Sequence, residues 1–435
     1  MRRHAILLAA LALLLAGARA ASAATLAPPP GTAGSALAPT PYMGWDSYYA
    51  FAGKINESTI LTEAHELVAS GLAADGYRLV WLDVGWWQGQ RASNGQIEVS
   101  ATQWPHGLAW LTSTLHAEGL KVGIYTDVGT TGCGGPGTGS YGHYQQDVNT
   151  LAAWGFDAIK VDFCGGTRLG LDPRTAYTEF HDAIVDNASH RPIIFNICNF
   201  LQPSQINPTT PAITGSGFFT WTYAPSIATS WRTDTDIGVP GNVTFASVLR
   251  NMDADAAHPQ AAGPGHWNDP DYLAPDQGMS ATQFRSQLSM WAILAAPLMI
   301  SDNLTTMSAA TEQALANREA IAIDQDPAGI QGTLAADSGS SQVWVKPLSD
   351  GSRAVALLNR GSAAAQITAS AVAVGLPRAG RYDVRDVWAH RTTTTTGTLT
   401  ALVPGDGTDL LRVSVAPPPK PRPKRKPKKS KRRGR

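Results

Sequence analysis

Six aspartates stand at the ends of short, mostly apolar runs: Asp83, Asp127, Asp162, Asp236, and Asp269 with Asp271. The run "AIKVDFC" (158–164) is the most pointed case, because Lys160 and Asp162 sit two residues apart in an apolar frame. Residues i and i+2 of a strand share a face, so these two charges should project together. Burying a charge without a partner is costly, so the pair asks for a use. No HExxH occurs, and the cysteine spacings do not suggest zinc. A carboxylate ring of this kind suits attack on a glycosidic bond, which needs two carboxyl groups flanking one linkage. The competing use is capping of the helices that follow. That use explains any single aspartate more easily than six at matching places.

The elements that must position these groups are legible as a rhythm. "YRLVWLDVGW" (77–86), "KVGIYTDVG" (121–129), "AIKVDFC" and "PIIFNICN" (192–199) read as strands buried on both faces. Helical patterns alternate with them at 57–71, 107–119 and 147–155, with Ile60, Leu61, Ala64, Leu67 and Val68 on one face of the first. "YMGWDSYY", "SWRTDTD" (230–236), "GHWNDPDYL" (265–273) and, after a helix at 282–295, "PLMISDNL" (297–304) bring the strand candidates to eight. A closed (β/α)8 TIM barrel over 41–329 follows more naturally than an open sheet, and its working residues belong at the C-terminal strand ends. Beyond residue 330 the texture becomes alternating, with a turn at Ser349-Asp350-Gly351, so 330–415 should form a C-terminal antiparallel β-sandwich.

The ends of the chain point to export. Arg2 and Arg3, the apolar run over 5–16 and the small residues Ala21-Ser22-Ala23 read as a signal peptide over 1–24. A Pro/Gly/Ala linker over 25–40 follows. The chain, 43% hydrophobic and 16% charged, reads as globular and soluble. Its 13 tryptophans suit either core packing or clefts that stack sugars. Of 34 Lys and Arg, 11 lie in the final "KPRPKRKPKKSKRRGR" and 3 in the signal segment, leaving the body 20 basic against 34 acidic residues, a net of −14. The segment 416–435 should be a disordered polybasic tail. Export argues against a nucleic-acid partner and for a polyanionic cell-surface contact. Three cysteines, Cys133, Cys164 and Cys198, allow one bridge or none.

The motifs "MGWDSY", "GIYTDVGTTGC", "IKVDFC", "SWRTDTDI", "GHWNDPDYL", "WAILAAPLMISDNL" and "IAIDQDPAGIQG" together resemble glycoside hydrolase family 27, the α-galactosidases and their relatives. The resemblance implies a metal-free and cofactor-free retaining double displacement on an oligosaccharide or polysaccharide. It implies Asp162 as nucleophile and Asp236 as acid/base, with Asp234 as the rival by strand parity. It implies Trp45 as the aromatic wall under the sugar, and Asp83, Tyr125, Lys160, Asn199, Arg232 and Asp271 as substrate-binding residues. It also implies a Cys133–Cys164 bridge and a free, buried Cys198. Lys160 is expected to steady the charge of Asp162. Trp86, Trp87, His143 and His266 are expected to pack.

Three positions depart from the family pattern: Val84 where a second aspartate is usual, Asn199 where a glutamate is usual, and Tyr272 where a methionine is usual. All three belong to the pocket wall. The expected activity is therefore that of a secreted α-galactosidase. A sibling reading keeps the mechanism and changes the glycone to α-N-acetylgalactosamine, β-L-arabinopyranose or isomalto-dextran units. A third, non-enzymatic reading is a carbohydrate-binding barrel. Retention of Lys160, Asp162, Arg232 and Asp236 argues against the third.

Overall fold

The computed structural model describes residues 37–133, 139–199 and 219–418. The expected signal peptide, linker residues 25–36 and tail residues 419–435 lie outside the described residues.

Eight parallel strands follow one another around a single sheet: β1 (Met43–Asp46), β2 (Leu79–Leu82), β3 (Lys121–Asp127), β4 (Ala158–Asp162), β5 (Ile194–Cys198), β6 (Ser230–Arg232), β7 (Trp267–Asp269) and β8 (Leu298–Ile300). β8 pairs back onto β1. The ring closes just past β7, where Leu273 bridges Ile300: Leu273 N–H donates to Met299 O at 2.7 Å and Ser301 N–H to Leu273 O at 2.7 Å. This is the (β/α)8 barrel the alternation predicts. β4 and β5 are buried at every position, as strands covered on both faces must be. At Gly44 the β1 backbone approaches β2 so closely that a Cβ would lie 1.9 Å from Leu79 O.

The helices between the strands start at recognisable caps. Asn56 Oδ1 accepts from Thr59 N–H at 2.9 Å ahead of α1 (Glu57–Ala69). The other helices used below are α2 (Tyr144–Ala153), α3 (Cys164–Leu169), α4 (Pro173–Val185) and α5 (Ala281–Leu294). Ser280 and Gln283 form a reciprocal capping box at the start of α5, whose later residues are buried on all sides because the second layer of the protein packs on them.

That layer is antiparallel. A six-stranded sheet runs Thr333–Asp337, Ser341–Pro347, Arg353–Asn359, Thr408–Val415, Tyr382–Asp386 and Arg391–Thr395 in spatial order, and a two-stranded sheet pairs Ala365–Ser370 with Thr398–Val403. Val343, Val355, Leu357, Ile367, Leu399 and Val413 fill the space between them. The outer face of the large sheet joins the barrel through α5: Lys346 Nζ donates to Ala292 O at 2.9 Å, and Trp388 Nε1 donates to Ser289 Oγ at 2.9 Å.

Candidate active site

The C-terminal ends of the barrel strands surround a cavity of about 580 Å³. Asp83, Lys160, Asp162, Asp236 and Asp271 line it, together with the Cys133–Cys164 disulfide and the Cys198 thiol. Four carboxyl groups and one ammonium thus share one concave surface, within the size range of a small-ligand site.

Asp162 ends β4 and is 5% exposed. Its Oδ1 accepts from Phe163 N–H at 2.9 Å and its Oδ2 from Tyr125 O–H at 3.0 Å. The Tyr125 hydroxyl in turn accepts from Cys133 N–H at 2.9 Å, so the disulfide loop orients the tyrosine that orients the carboxyl. Burial, and then the charge of Asp127, push the Asp162 pKa up to about 7; Lys160 and the Phe163 N–H pull it down, and Asp236 adds to the rise.

Lys160 steadies the charge of Asp162 through space and not by a direct bond. Its ammonium donates to Asp83 Oδ2 and to Tyr272 Oη, both at 2.7 Å, and makes no bond to Asp162. The reason is reach: the side chain passes its neighbour on β4 and ends at a carboxyl from β2. Burial works against the ammonium, but Asp83 outweighs it and holds the Lys160 pKa well above the usual lysine value. The remaining hydrogen bonds of Asp83 are internal too, with Val84 N–H at 2.7 Å on Oδ1 and Tyr272 O–H at 3.5 Å from Oδ2.

The opposite wall is organised by Arg232, 1% exposed at the end of β6. Its Nη2 lies 3.0 Å from Asp236 Oδ1 and 2.9 Å from Asp271 Oδ2. Asp236 is the more open of the two, with 45% of its side chain exposed. Asp271 is buried, accepts from Ile237 N–H at 2.7 Å, and has φ = 91°. A non-glycine residue in that region carries backbone strain on the order of 1–3 kcal/mol, which such sites commonly retain. Burial pushes its pKa up to about 6 against the pull of Arg232. Asp234 lies elsewhere. It lines a separate cavity of about 390 Å³ with Trp221, Arg250 and His258.

Trp45, Tyr125, Asn199 and Arg232 stand behind the cavity wall rather than in it. Trp45 is fully buried, gives its indole N–H to Asp302 O at 2.7 Å, and meets the Phe51 ring edge-on. The aromatic surface of the cavity comes instead from Tyr48, Trp87 and Tyr272. Trp87, expected only to pack, does both: it stacks on Trp86 and lines the cavity. Trp86 packs, giving its N–H to Tyr125 O at 2.8 Å. His143 precedes α2, where it meets Gln146, and His266 stacks against Trp231. Tyr48, Gln88 and Thr235 also line the cavity and were missed. Gln88 lies five residues past Asp83 and Thr235 sits between Asp234 and Asp236, so the neighbouring acids are a signal that could have found them; Tyr48 follows Asp46, which was not among the acidic strand ends recognised.

Residues 40–326 match the family model described as alpha galactosidase A, and residues 338–413 match the alpha galactosidase C-terminal beta sandwich domain. The chain is 38% identical over 357 residues to alpha-galactosidase 2 of Arabidopsis thaliana, covering 82% of this chain and 84% of that protein. It is 34% identical to alpha-galactosidase A of Cellvibrio japonicus, covering 87% and 93%. Its fold superposes on the crystal structure of alpha-galactosidase I from Mortierella vinacea with a TM-score of 0.77 and 26% identity, covering 88% of this chain and 98% of that one.

Proposed function

Because this chain belongs to the α-galactosidase family, glycoside hydrolase family 27, and is a glycoside hydrolase, we propose that it is a secreted enzyme that releases terminal α-D-galactosyl residues by double displacement. The observation that carries the reading is that Asp162 and Asp236 line one cavity from different strand ends, each held by its own partners. In the first step a carboxylate oxygen of Asp162 bonds to the anomeric carbon as the glycosidic bond breaks. Asp236 gives its proton to the departing oxygen. In the second, Asp236 takes a proton from water, the water oxygen bonds to the anomeric carbon, and Asp162 departs as carboxylate. Asp162 must be ionised to attack, so its raised pKa places the acid limb of activity near neutrality. Arg232 fixes Asp236 and Asp271, and Lys160 fixes Asp83 and Tyr272, so both walls are set before substrate enters.

A second reading keeps the chemistry and changes the sugar. It is favoured by Val84 and Tyr272, which line the cavity where the family pattern has an acid and a methionine. Export rests on the signal-like residues 1–24, and a bridge between Cys133 and Cys164 suits an oxidising compartment.

One experiment addresses these points together. Protein recovered from culture medium, whose mass should lack the signal segment, is assayed on nitrophenyl α-galactoside, α-glucoside, α-N-acetylgalactosaminide and β-L-arabinopyranoside. Proton NMR follows the first-formed anomer. The α-galactoside should be the best substrate, the product should keep its anomeric configuration, and Asp162→Asn should abolish turnover with the fold intact. An inverted product, or a near-normal rate in the Asn variant, overturns the covalent route.

A further inference from the structure

Asp127 is fully buried one strand away from the proposed nucleophile and has no part in the mechanism above. It ends β3 in register with Asp162 at the end of β4. Its carboxylate is held by backbone N–H groups: Gly129 at 2.6 Å on Oδ1, and Gly165 at 3.1 and 3.0 Å on the two oxygens. Those glycines are required. A Cβ on Gly165 would fall 2.7 Å from Asp127 Oδ1 and 2.2 Å from Thr131 O, and one on Gly129 would fall 2.1 Å from the Gly165 carbonyl carbon. The strand end, the disulfide loop and the first turn of α3 therefore close around this carboxylate.

What the cradle lacks is a cation. Among the described residues no salt bridge reaches Asp127. Arg168 acts on it only at longer range and bonds to Thr131 and Gly132. A carboxylate oxygen of Asp127 and one of Asp162 lie within 4.8 Å of each other, with the Cys133 and Cys164 sulfurs in the same cluster. Those sulfurs are spent on the disulfide. The cations of the site are also committed elsewhere, Lys160 to Asp83 and Arg232 to Asp236 and Asp271. The other titratable groups acting on or facing Asp162 are Tyr125 on β3, Lys160 on β4, Tyr177 on α4, Cys198 on β5 and Asp236 past β6. Two carboxylates at that separation resist ionising together.

We propose that Asp127 is a positioning residue for the reaction: its buried charge beside Asp162 sets the low-pH limit of activity. The proposal rests on the reading of Asp162 as nucleophile. It deepens that reading by naming what governs when the nucleophile is ready. The cradle serves this purpose because N–H groups hold a carboxylate in place without cancelling its charge as a lysine would. Burial pushes the Asp127 pKa up to about 6 against those N–H groups, so the two carboxyls titrate over overlapping ranges as one coupled pair, and the charge of Asp127 raises the pH at which Asp162 ionises.

The test is Asp127→Asn, which keeps the shape and an acceptor oxygen for the glycine N–H groups while removing the charge. The acid limb of kcat/KM against pH should move to lower pH by about half a unit to two and a half units, the span for unit charges at that separation between water-like and protein-like screening. A merely structural role would lower activity at every pH and leave the limb in place. A folded variant with an unmoved limb, or one inactive throughout, overturns the proposal. If the variant does not fold, carboxyl ¹³C titration of the wild-type enzyme decides: Asp162 and Asp127 should each titrate in two coupled steps, and independent single steps overturn it. Failure of the nucleophile reading is seen separately, by trapping with a 2-fluoro galactosyl donor and locating the label by peptide mass spectrometry. A label away from Asp162 sinks that reading whatever the limb does.

Discussion

Replacing Tyr272 by phenylalanine removes one oxygen and tests how the inner wall is held. The Tyr272 hydroxyl accepts from Lys160 Nζ at 2.7 Å and lies 3.5 Å from Asp83 Oδ2, and both residues are buried. A hydrogen bond to a charged group is worth about 1.5–3 kcal/mol, and a buried donor left unpaired loses a comparable amount. Lys160 lines the cavity, so water can replace part of what is lost, and about 1–2 kcal/mol is the expected net cost. That corresponds to a fall in Tm on the order of 3 °C. The ring remains beneath the ammonium, which lies 4.8 Å from its centroid, so the side chain stays in the site but loses its fixed direction. If Lys160 and Asp83 present a preset face to the sugar, that loss falls on substrate and transition state alike. KM for the best substrate should then rise about tenfold with kcat nearly unchanged. Thermal melts and initial-rate kinetics on the nitrophenyl substrate read both effects. An unchanged KM with a lowered Tm would show the bond to be structural alone, and unchanged values of both would refute the assigned hydrogen bond.

Two further perturbations probe the walls on either side. Val84→Asp puts a carboxylate into the cavity beside Asp83 and should raise kcat/KM on α-galactosides by about 10- to 100-fold if a missing charged acceptor has shifted specificity; no gain on any glycone in the panel would rule that account out. Cys133→Ser with Cys164→Ser opens a bridge of sequence separation 31, worth about 3–4 kcal/mol on a chain-entropy argument. It should also lower kcat, because Cys133 N–H holds the Tyr125 hydroxyl that holds Asp162. A lower Tm with kcat untouched would remove the loop from the orienting chain.

The barrel was legible because its strands are buried on both faces and so read as apolar runs with acidic ends. β4 over Ala158–Asp162 is the clearest case. The helix Pro173–Val185 escaped notice although Asp172 caps it and Pro173 opens it, because half of its residues are polar or charged and no long apolar run marks it. The short β6, Ser230–Arg232, was found only through the residues it carries. Side-chain partners were a different matter. Period two puts Lys160 and Asp162 on one face, but it cannot say how far a four-carbon stem reaches, and the ammonium crosses to Asp83 from another strand. Trp45 failed as a wall residue for a related reason: register fixed its direction, while its depth depends on Phe51 and Asp302, which the strand pattern does not encode. Long-range geometry of this kind decides partners, and local periodicity carries no record of it.

The charge pattern of the site argues for the chemistry independently of any motif. Four carboxyl groups face the cavity with one ammonium, and the one guanidinium behind them is divided between two of the four. An anionic substrate would meet this surface at a cost, and a neutral one would gain little from its net charge. On the proposed reading, a sugar passing through an oxocarbenium-like transition state acquires positive charge at an anomeric centre beside Asp162, and so gains most when the barrier is highest. Burial, with neighbouring carboxyl groups adding to it, raises the proton affinity of Asp162 and Asp271. Stabilising a transient cation and holding protons near neutrality are thus two results of one arrangement. A substitution that adds a cation to this wall should weaken both, whichever strand it sits on.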